Sequence, residues 1–451
     1  MNKREFLKGS AAVAAAVAIS GFAESAEAAS TNVPRVNWSG NYHYSTDKVF
    51  QPRTVSEVQD AVRSVPRVRA LGSRHSFNSI ADSTGAQISM LGLKNVALDA
   101  ASQTVRVGAG VQYDDLSVQL DDEGWALQNL ASLTGITVGG ACSTATHGSG
   151  TKNQNLSTQV QEIEFVTGDG SLRVLSRAKD GDRFAGAVVA LGALGIMTHM
   201  TLAVEPRYEM TQVVYENLPF SVLEHHLADV MGAAYSVSLF THWDRECAEQ
   251  VWLKRRVDQG GRGTPPPMFY GATLAREKLS PMGHGYPTGS CTDQMNIPGP
   301  WYERLPHFKI GFTPSAGHEL QTEFFVPFER GYEAIRAVET LHDQITPHLL
   351  VTELRAVAPD DLWLSTAYKR SSLTIHFTWK PDWTAVLHIV PQIEAKLAPF
   401  AMRPHWAKVF TMSSAQLDPL YPRMNDFKAM VAQYDPKGKF INQYMRKEVF
   451  G

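Results

Sequence analysis

Five polar side chains in the second half of the chain have types and spacing that could bind hydroxyl groups and move a proton. Glu353 and Arg355 lie two residues apart in a segment that alternates like a β-strand, so they share one face. His376 and Thr378 share a face in a second alternating segment, and Lys408 closes the sequence His-Trp-Ala-Lys in a third. Such alternation fits either a solvated sheet face, which is the more common arrangement, or a polar pocket.

Two glycine-rich segments in the first half could hold a pyrophosphate group. They span residues 70–78 and 135–150 and offer bare backbone N–H groups, small side chains and hydroxyls. Neither matches the dinucleotide fingerprint G-x-G-x-x-G or the P-loop, and either one alone is typical of a turn-rich connection. The first segment also contains His75, between Arg74 and Ser76. Two such loops with an embedded histidine favour a cofactor site.

No metal site is predicted from the histidines and cysteines. His147 and the pair His225-His226 lack the H-E-x-x-H spacing and have no carboxylate partner in register. The chain has three cysteines, which is too few for a disulfide framework, and no Cys-x-x-Cys pair.

The elements that must position these residues divide the chain near Glu205-Pro206. Before this point, short strands alternate with helices; after it, residues 207 to about 410 mix longer helices with strands in an α+β pattern. A loop-rich insert over 260–300 is either a lid or interface or a mobile loop. The elements predicted in the first half are a helix over 54–62, strands over 68–72 and 104–108, a helix over 113–124, and a hairpin around 168–170.

Length and composition exclude several classes of protein. The 451 residues are too many for one ordinary core, so two domains are predicted. With 43% hydrophobic and 19% charged residues the chain is globular rather than disordered. The net charge of −3 argues against a broad basic surface for nucleic acid. No apolar run reaches 18 residues, so no membrane span is predicted.

The first 28 residues are predicted to be a cleaved export signal. A basic start with Lys3 and Arg4 precedes an apolar run over 11–19, and Ala-Glu-Ala at 26–28 offers a cleavage site. The start resembles a twin-arginine signal in which Lys3 replaces the first arginine, which leaves Sec export as the alternative route. We therefore expect the mature protein in the periplasm or outside the cell.

Four separated segments resemble the vanillyl-alcohol-oxidase class of FAD enzymes, and more closely the bacterial alditol oxidases and the related sugar-lactone oxidases. Residues 70–78 resemble the first flavin loop of that class, and 146–150 the end of the second. Residues 191–198 resemble the third flavin segment, and 434–442 the end of the chain. These matches occur in order over nearly the whole mature chain, which makes them far more specific than one glycine motif.

The resemblance implies an α+β, two-domain FAD-binding fold. An FAD-binding domain would span 38–206, an α+β substrate-binding cap domain 207–410, and a C-terminal segment returning to the FAD domain 411–451. His75 would be bonded covalently to the flavin 8α-methyl carbon, which would retain the cofactor outside the cell. The implied FAD-binding residues are Ala70, Leu71, Gly72, Ser73, Arg74, His75, Ser76, Thr137, Cys142, Ala145, Ser149, Gly150, Thr151, Lys152, Gly195, Ile196 and Thr378.

The resemblance also assigns active-site positions. Glu353, Arg355, His376 and Lys408 match catalytic positions of alditol oxidases, and the first two bind substrate together with Lys408. Thr137 falls where that family has a serine near the substrate. The expected reaction passes a hydride from an alcohol carbon to the flavin and a proton from its hydroxyl to the protein. Arg355 stays protonated and Lys408, if partly desolvated, is a candidate base, although the sequence leaves the identity of the base open.

The expected function is therefore oxidation of a primary alcohol of an alditol such as xylitol or sorbitol, with O₂ reduced to H₂O₂. The alternatives are an aldonolactone oxidase or dehydrogenase, and a non-catalytic flavin-binding protein. The expected partners are a small polyol and molecular oxygen, and the protein is expected to be a monomer.

Overall fold

The computed structural model describes residues 33–312 and 318–451. The predicted export signal over residues 1–28 lies outside the described residues. Within the described part of the chain, no helix is long and apolar enough to cross a membrane.

The described residues of the first half form two main sheets, a small two-stranded sheet and short flanking helices. A parallel sheet has the strand order Val49–Phe50, Ala86–Ser89, Val68–Leu71. An antiparallel sheet has the order Val96–Asp99, Thr104–Gly108, Ile196–Ala203, Val160–Val166, Leu172–Ser176. The helices here are Val55–Arg63, Tyr113–Asp122, Val138–Ser143 and Arg177–Val188.

The elements predicted for this half are confirmed, together with the local chemistry that bounds them. Thr54 caps the first helix, because its side chain accepts a hydrogen bond of 3.2 Å from the backbone N–H of Glu57. Gly124 follows the second helix with a φ of 84°, a left-handed conformation that favours glycine. Glu205–Pro206 pairs with Trp125–Ala126, and the next strand belongs to another sheet, which places a change of sheet at the predicted boundary.

The second half forms a ten-stranded antiparallel sheet. Its strand order is Met268–Phe269, Ala272–Leu274, Glu209–Pro219, Cys247–Arg256, Ser236–Thr241, Leu349–Val357, Ser372–Trp379, Leu320–Pro327, Arg403–Pro404, with Gly299–Pro300 beside Glu209–Pro219. The helices in this half are Phe220–Gly232, Gly331–Glu339, His342–Ile345, Trp383–Leu397, Ser414–Leu417 and Met424–Tyr434. The chain ends in a π-helix over Met445–Phe450.

The register of this large sheet brings polar residues from three strands into one row. Glu353 pairs with His376, and His376 pairs with Glu323 on the next strand. Ile375 and Phe377 on the opposite face are buried in the core, as the alternation of the strand requires. The row therefore presents its charges to the other half of the chain, where the glycine-rich loops lie.

The loop-rich insert over 260–300 is attached to the edge of the same sheet. Ala272–Leu274 and Gly299–Pro300 pair with Glu209–Pro219, and Met268–Phe269 pairs with Ala272–Leu274. Pro281 and Met282 of the insert line the cleft described below. This placement agrees with a covering role rather than with a loop that makes no contact with the site.

The C-terminal segment contacts the parallel sheet of the first half. The backbone N–H of Val68 donates to the Lys439 carbonyl at 3.1 Å, and Arg69 donates to the Phe440 carbonyl at 2.9 Å. The side-chain amide of Asn442 donates to the carbonyls of Ser79 and Ile80. The domain boundaries at 206 and 410 remain predictions, but these contacts agree with a chain end that returns to the first half.

Candidate active site

A large cleft lies between the loops of the first half and the ten-stranded sheet. Its empty volume is about 1860 Å³, including the part open to solvent. Both glycine-rich loops and strands of the large sheet contribute side chains to its lining.

The first two glycine-rich loops meet inside this cleft. A Cβ placed on Gly72 would lie 2.3 Å from Oγ1 of Thr137, a distance at which one of the loops would have to move. The Ser73 hydroxyl lies 3.4 Å from the backbone nitrogen of Thr137. Glycine at position 72 is therefore required by the close approach of the two loops, and that approach builds one wall of the cleft.

Substitution at Gly72 tests directly whether the two loops approach each other this closely. Gly72→Ala should lower the FAD content and the melting temperature, because overpacking of this kind destabilises by about 1–3 kcal/mol. Adding Thr137→Ala should restore both, since the hydroxyl that the new Cβ meets is removed. Gly289→Ala, whose Cβ would meet no atom within 4 Å, is the control. A Gly72→Ala protein with the FAD content and melting temperature of the parent would show that the approach is not tight.

Ten of the predicted cofactor residues line the cleft, together with residues of the third flavin segment such as Leu191 and Gly192. The ten are Ala70, Leu71, Gly72, Ser73, Arg74, His75, Ser76, Thr137, Gly195 and Thr378. Seven others lie outside its described lining: Cys142, Ala145, Ser149, Gly150, Thr151, Lys152 and Ile196.

Three of the seven are held away from the cleft by identifiable contacts. The Cys142 sulfur faces the Tyr113 hydroxyl at 3.5 Å within the core. The Ser149 hydroxyl donates to the Val237 carbonyl, and the Gly150 N–H donates to the Ala356 carbonyl at 2.9 Å. The end of the second loop thus leaves the cleft and attaches to the ten-stranded sheet. Contact of these seven residues with the cofactor remains a prediction.

His75 is held at the cleft as a neutral ring with an unused nitrogen. Its ring stacks on Trp38 with the centroids 4.9 Å apart, and its Nδ1 lies 3.3 Å from the Ser73 hydroxyl. Its Nε2 is buried and has no hydrogen-bond partner among the described residues. Burial lowers the pKa of His75 to about 4, so the imidazole is uncharged and keeps a free electron pair at neutral pH.

The predicted catalytic residues face the same cleft; Glu353, Arg355 and His376 are buried, and the Lys408 side chain is 13% exposed. Glu353 and Arg355 are each only 4% exposed, and His376 and Lys408 line the cleft beside them. The solvated sheet face that alternation alone favoured is therefore wrong, and the polar pocket is confirmed. His376 Nε2 is buried without a hydrogen-bond partner in the described part of the chain, which leaves it available to a ligand.

Glu323, which was not predicted from the sequence, is the hub of this group, meaning the residue to which both Lys408 and Arg355 bond. Its Oε2 accepts a hydrogen bond of 2.6 Å from Lys408, and its Oε1 accepts one of 2.8 Å from Arg355. His147 Nε2 lies 3.1 Å from the same Oε1. Burial alone would raise the pKa of Glu323, but Lys408 and the other neighbouring cations hold it well below its usual range. Glu323 is therefore a carboxylate that fixes both cations of the site.

A sequence signal for Glu323 exists but is weak. Gln321 and Glu323 occupy alternate positions of a strand, as Glu353 and Arg355 do, and Gln321 also lines the cleft. Three further histidines line the cleft: His147, His307 and His405. His147 lies in the segment 146–150 and His405 begins the sequence His-Trp-Ala-Lys, whereas His307 has no spacing pattern that marks it.

The two cations differ in what they can do. Glu353 and Glu323 raise the pKa of Arg355 against the opposing effect of burial, so its guanidinium stays charged and its Nη1 donates to the Ser132 hydroxyl at 3.1 Å. Burial lowers the pKa of Lys408 below 10.5, and Arg355 lowers it further, against the opposing effect of Glu323. Lys408 is thus the cation that more readily gives up its proton.

Known protein families match the chain in three regions. The FAD binding domain family model matches residues 46–176, and the D-arabinono-1,4-lactone oxidase family model matches residues 317–448. The first match establishes FAD as the cofactor of the loops that line the cleft. The model of the twin-arginine translocation signal sequence matches residues 1–20, which confirms the predicted export route.

Curated relatives match along most of their length. Alditol oxidase of Streptomyces is 44% identical over 416 residues, which cover 91% of this chain and 97% of that protein. L-gulono-1,4-lactone dehydrogenase of Mycobacterium tuberculosis is 28% identical over 91% of this chain and 98% of its own length. L-gulonolactone oxidase of Mus musculus is 26% identical, with coverage of 91% and 97%.

Solved structures agree on the fold. Cholesterol oxidase from B. sterolicum superposes with a TM-score of 0.73 over 93% of this chain and 99% of its own, at 14% sequence identity. At that identity the likeness shows the two-domain FAD-binding fold alone. The Streptomyces match, in contrast, is close enough and long enough to fix the family. The chain therefore belongs to the alditol oxidase family of FAD-dependent oxidases, which is related to the sugar-lactone oxidases.

Proposed function

We propose that this protein oxidises a primary hydroxyl of an alditol such as xylitol or sorbitol to the aldose, with O₂ reduced to H₂O₂. One observation carries the proposal: two buried carboxylates, Glu323 and Glu353, lie with the buried Arg355 and the partly buried Lys408 in the cleft that the flavin loops line. The four charges balance. Such a pocket offers donors and acceptors to a neutral polyol without an unpaired charge that would select an acid.

The chain's own residues divide the work on the alcohol. Arg355, held by Glu323 and charged, binds a hydroxyl or the alkoxide that develops when its proton leaves. Glu353 accepts hydrogen bonds from neighbouring hydroxyls. Lys408, in its neutral form, takes the proton of the hydroxyl. Its lowered pKa makes that neutral form accessible. Bound FAD supplies the hydride acceptor and passes the electrons to O₂.

A product assay tests the function. Purified protein should release one H₂O₂ and one aldose for each O₂ consumed with xylitol or sorbitol. Faster turnover with an artificial dye than with O₂ would make the protein a dehydrogenase instead. Protein that carries FAD but forms no product with any polyol or lactone would be a non-catalytic flavin-binding protein.

A lactone substrate is the second candidate, because the D-arabinono-1,4-lactone oxidase model covers the strands that carry Glu323, Glu353 and Arg355. A direct comparison of kcat/KM for xylitol and for a galactono-1,4-lactone separates the two. We expect the alditol to be favoured, and a preference for the lactone would transfer the proposal to aldonolactone oxidation.

We further propose that FAD is bonded to His75 through its 8α-methyl carbon, in support of which the ring is neutral, stacked on Trp38 and has an unused nitrogen in the cleft. Forming the bond removes one hydrogen from the imidazole and one from the methyl group, and O₂ carries both away as H₂O₂.

The covalent bond predicts a visible result. Acid-precipitated protein should give a yellow pellet, whereas His75→Ala should leave the colour in the supernatant, because it lacks the nitrogen that forms the bond. His405→Ala, which removes another buried histidine of the cleft, is the control and should keep a yellow pellet. A yellow pellet from His75→Ala would place the bond on another residue.

A further inference from the structure

Lys254 is a fully buried lysine that does not line the cleft. It lies on the strand Cys247–Arg256, and its ammonium directs its three donors to neutral acceptors. The Nζ atom lies 2.5 Å from the Leu305 carbonyl, 2.8 Å from the Pro306 carbonyl and 3.1 Å from Nδ1 of His307. Such complete burial of a lysine without a bonded carboxylate is rare and calls for a physical reason.

The reason lies in the ring that Lys254 contacts. Burial lowers the pKa of Lys254 to about 7, so below neutrality the group is an ammonium, which can only donate. Nδ1 of His307 then accepts, and the proton of the neutral ring stands on Nε2. That Nε2 donates to Oε1 of Glu353 at 2.7 Å. The ring orientation is fixed as well, because Phe240 and Trp252 each contact it edge to face at a centroid distance of 5.3 Å.

We propose that Lys254 is a positioning residue for Glu353 and acts through the tautomer of His307. The chain Lys254–His307–Glu353 fixes one oxygen of the carboxylate so that the other stays directed to the substrate. His376 Nδ1, at 3.8 Å from Oε2, is too distant for a hydrogen bond and does not occupy that oxygen. The inference rests on the proposed function, in which Glu353 binds polyol hydroxyls.

The charges around His307 define what the removal of Lys254 would do. The groups acting on His307 are Lys254, Glu353 and Arg355, and those acting on Lys254 also include Arg304 and Cys291. Burial, aided by the Lys254 cation, lowers the pKa of His307 to about 4. Without the cation, this pKa rises, so the ring gains a charge at a higher pH and pulls Glu353 towards itself.

Lys254→Met tests the proposal in the anaerobic reduction of the bound flavin by xylitol. We expect the apparent Kd for xylitol to rise about tenfold, the effect of one lost orienting hydrogen bond. The Kd should also increase further as the pH falls below neutrality, whereas in the parent Lys254 gains its charge over this range and His307 stays neutral down to its pKa of about 4. The double variant Lys254→Met/His307→Gln should lose that pH dependence, because glutamine does not ionise. A Lys254→Met protein with the Kd and pH profile of the parent would overturn the proposal.

A matched pair at position 307 tests the same chain without touching Lys254. His307→Gln keeps a donor for Glu353 and an acceptor for the ammonium, whereas His307→Phe keeps only the ring. We expect the Kd of xylitol to stay near the parent value for the former and to rise about tenfold for the latter. Equal behaviour of the two variants would reduce His307 to a packing role and contradict the proposal.

The midpoint of thermal unfolding, measured as a function of pH, separates failure of this inference from failure of the proposed function, because the measurement needs no substrate. The folded-state pKa of His307, about 4, lies below its ordinary value of 6.5, so the parent loses stability as the pH falls through this window. Lys254→Met should lose less stability over the same pH range, because the pKa of His307 is higher in this variant. If no polyol bleaches the flavin of the parent protein, the proposed function fails. Independently of that result, the Lys254–His307 coupling is rejected if the unfolding midpoint of Lys254→Met depends on pH as that of the parent does.

Discussion

Glu323→Gln is expected to lower kcat/KM for xylitol by on the order of 100-fold. Glu323 holds Lys408 at 2.6 Å and Arg355 at 2.8 Å, and its loss leaves these two cations facing each other with Glu353 as their remaining carboxylate. Breaking a buried pair of this kind costs about 3 kcal/mol, so the melting temperature should fall as well. The measurement is steady-state kinetics at fixed O₂ together with thermal unfolding.

The same variant makes a second prediction about pH. Glu323 raises the pKa of Lys408, so its removal should move the rise of the rate with pH to lower pH. Glu394→Gln is the matched control: Glu394 is also buried and accepts a hydrogen bond of 2.7 Å from the Thr411 N–H, but it lies outside the cleft lining. If Glu323→Gln and Glu394→Gln reduce the rate equally, Glu323 is a structural carboxylate and not the hub of the site.

Lys408→Met should slow flavin reduction by xylitol by roughly 10²–10⁴-fold, the usual contribution of a general base. Methionine preserves the apolar stem and removes the ammonium. In the parent, the rate should rise with pH through the pKa of Lys408, which lies below 10.5, because only the neutral amine accepts a proton. The variant should lose this rise. Rapid-mixing absorbance of the oxidised flavin, measured anaerobically across pH, reports both effects.

Lys278→Met is the control for this experiment. Lys278 is a partly buried lysine whose Nζ donates to the Cys291 carbonyl at 2.6 Å, and it does not line the cleft. Its replacement should leave the reduction rate and the pH profile unaltered. A Lys408→Met protein that keeps the parent's rate and profile would remove Lys408 from proton transfer and leave Arg355 or His376 as the group to test.

Periodicity alone located the polar faces of two strands, but it could not show what covers them. Glu353 with Arg355 and His376 with Thr378 do share faces, as alternation predicts. The burial of those faces comes from residues far away in sequence, including Ser132 and His147 of the other half. Local pattern carries no information on such long-range covering, and for that reason the solvated face was the wrong expectation.

The same limit explains the missed hub. Glu323 becomes a partner of Lys408 and Arg355 because the strand Leu320–Pro327 pairs with Ser372–Trp379. The sequence of one strand does not determine which strands lie beside it in an antiparallel sheet. Lys254 is a stronger case, since a lysine on a strand is ordinarily taken as solvated. Its burial follows from the segment that carries Leu305 and His307, which covers that part of the strand.

The two glycine-rich loops agree only in part with the cofactor contacts that the family resemblance implied. Residues 70–76 line the cleft throughout, because the close approach of Gly72 to Thr137 fixes both loops there. The second loop follows the expectation only in part: Thr137 lines the cleft, whereas the Cys142 sulfur faces Tyr113 in the core and Ser149 and Gly150 bond to the ten-stranded sheet. A motif match identifies the segment, whereas hydrogen bonds made by individual residues decide which of them can reach a ligand.

The most direct test of the central claim is the absorbance of the bound flavin under anaerobic conditions after addition of xylitol. The pocket of Glu323, Glu353, Arg355 and Lys408 predicts rapid and complete bleaching by xylitol and slower bleaching by a galactono-1,4-lactone, with colour restored on admission of air. Flavin that stays oxidised in the presence of xylitol and sorbitol, while the lactone bleaches it, would contradict the assignment of this pocket to alditols.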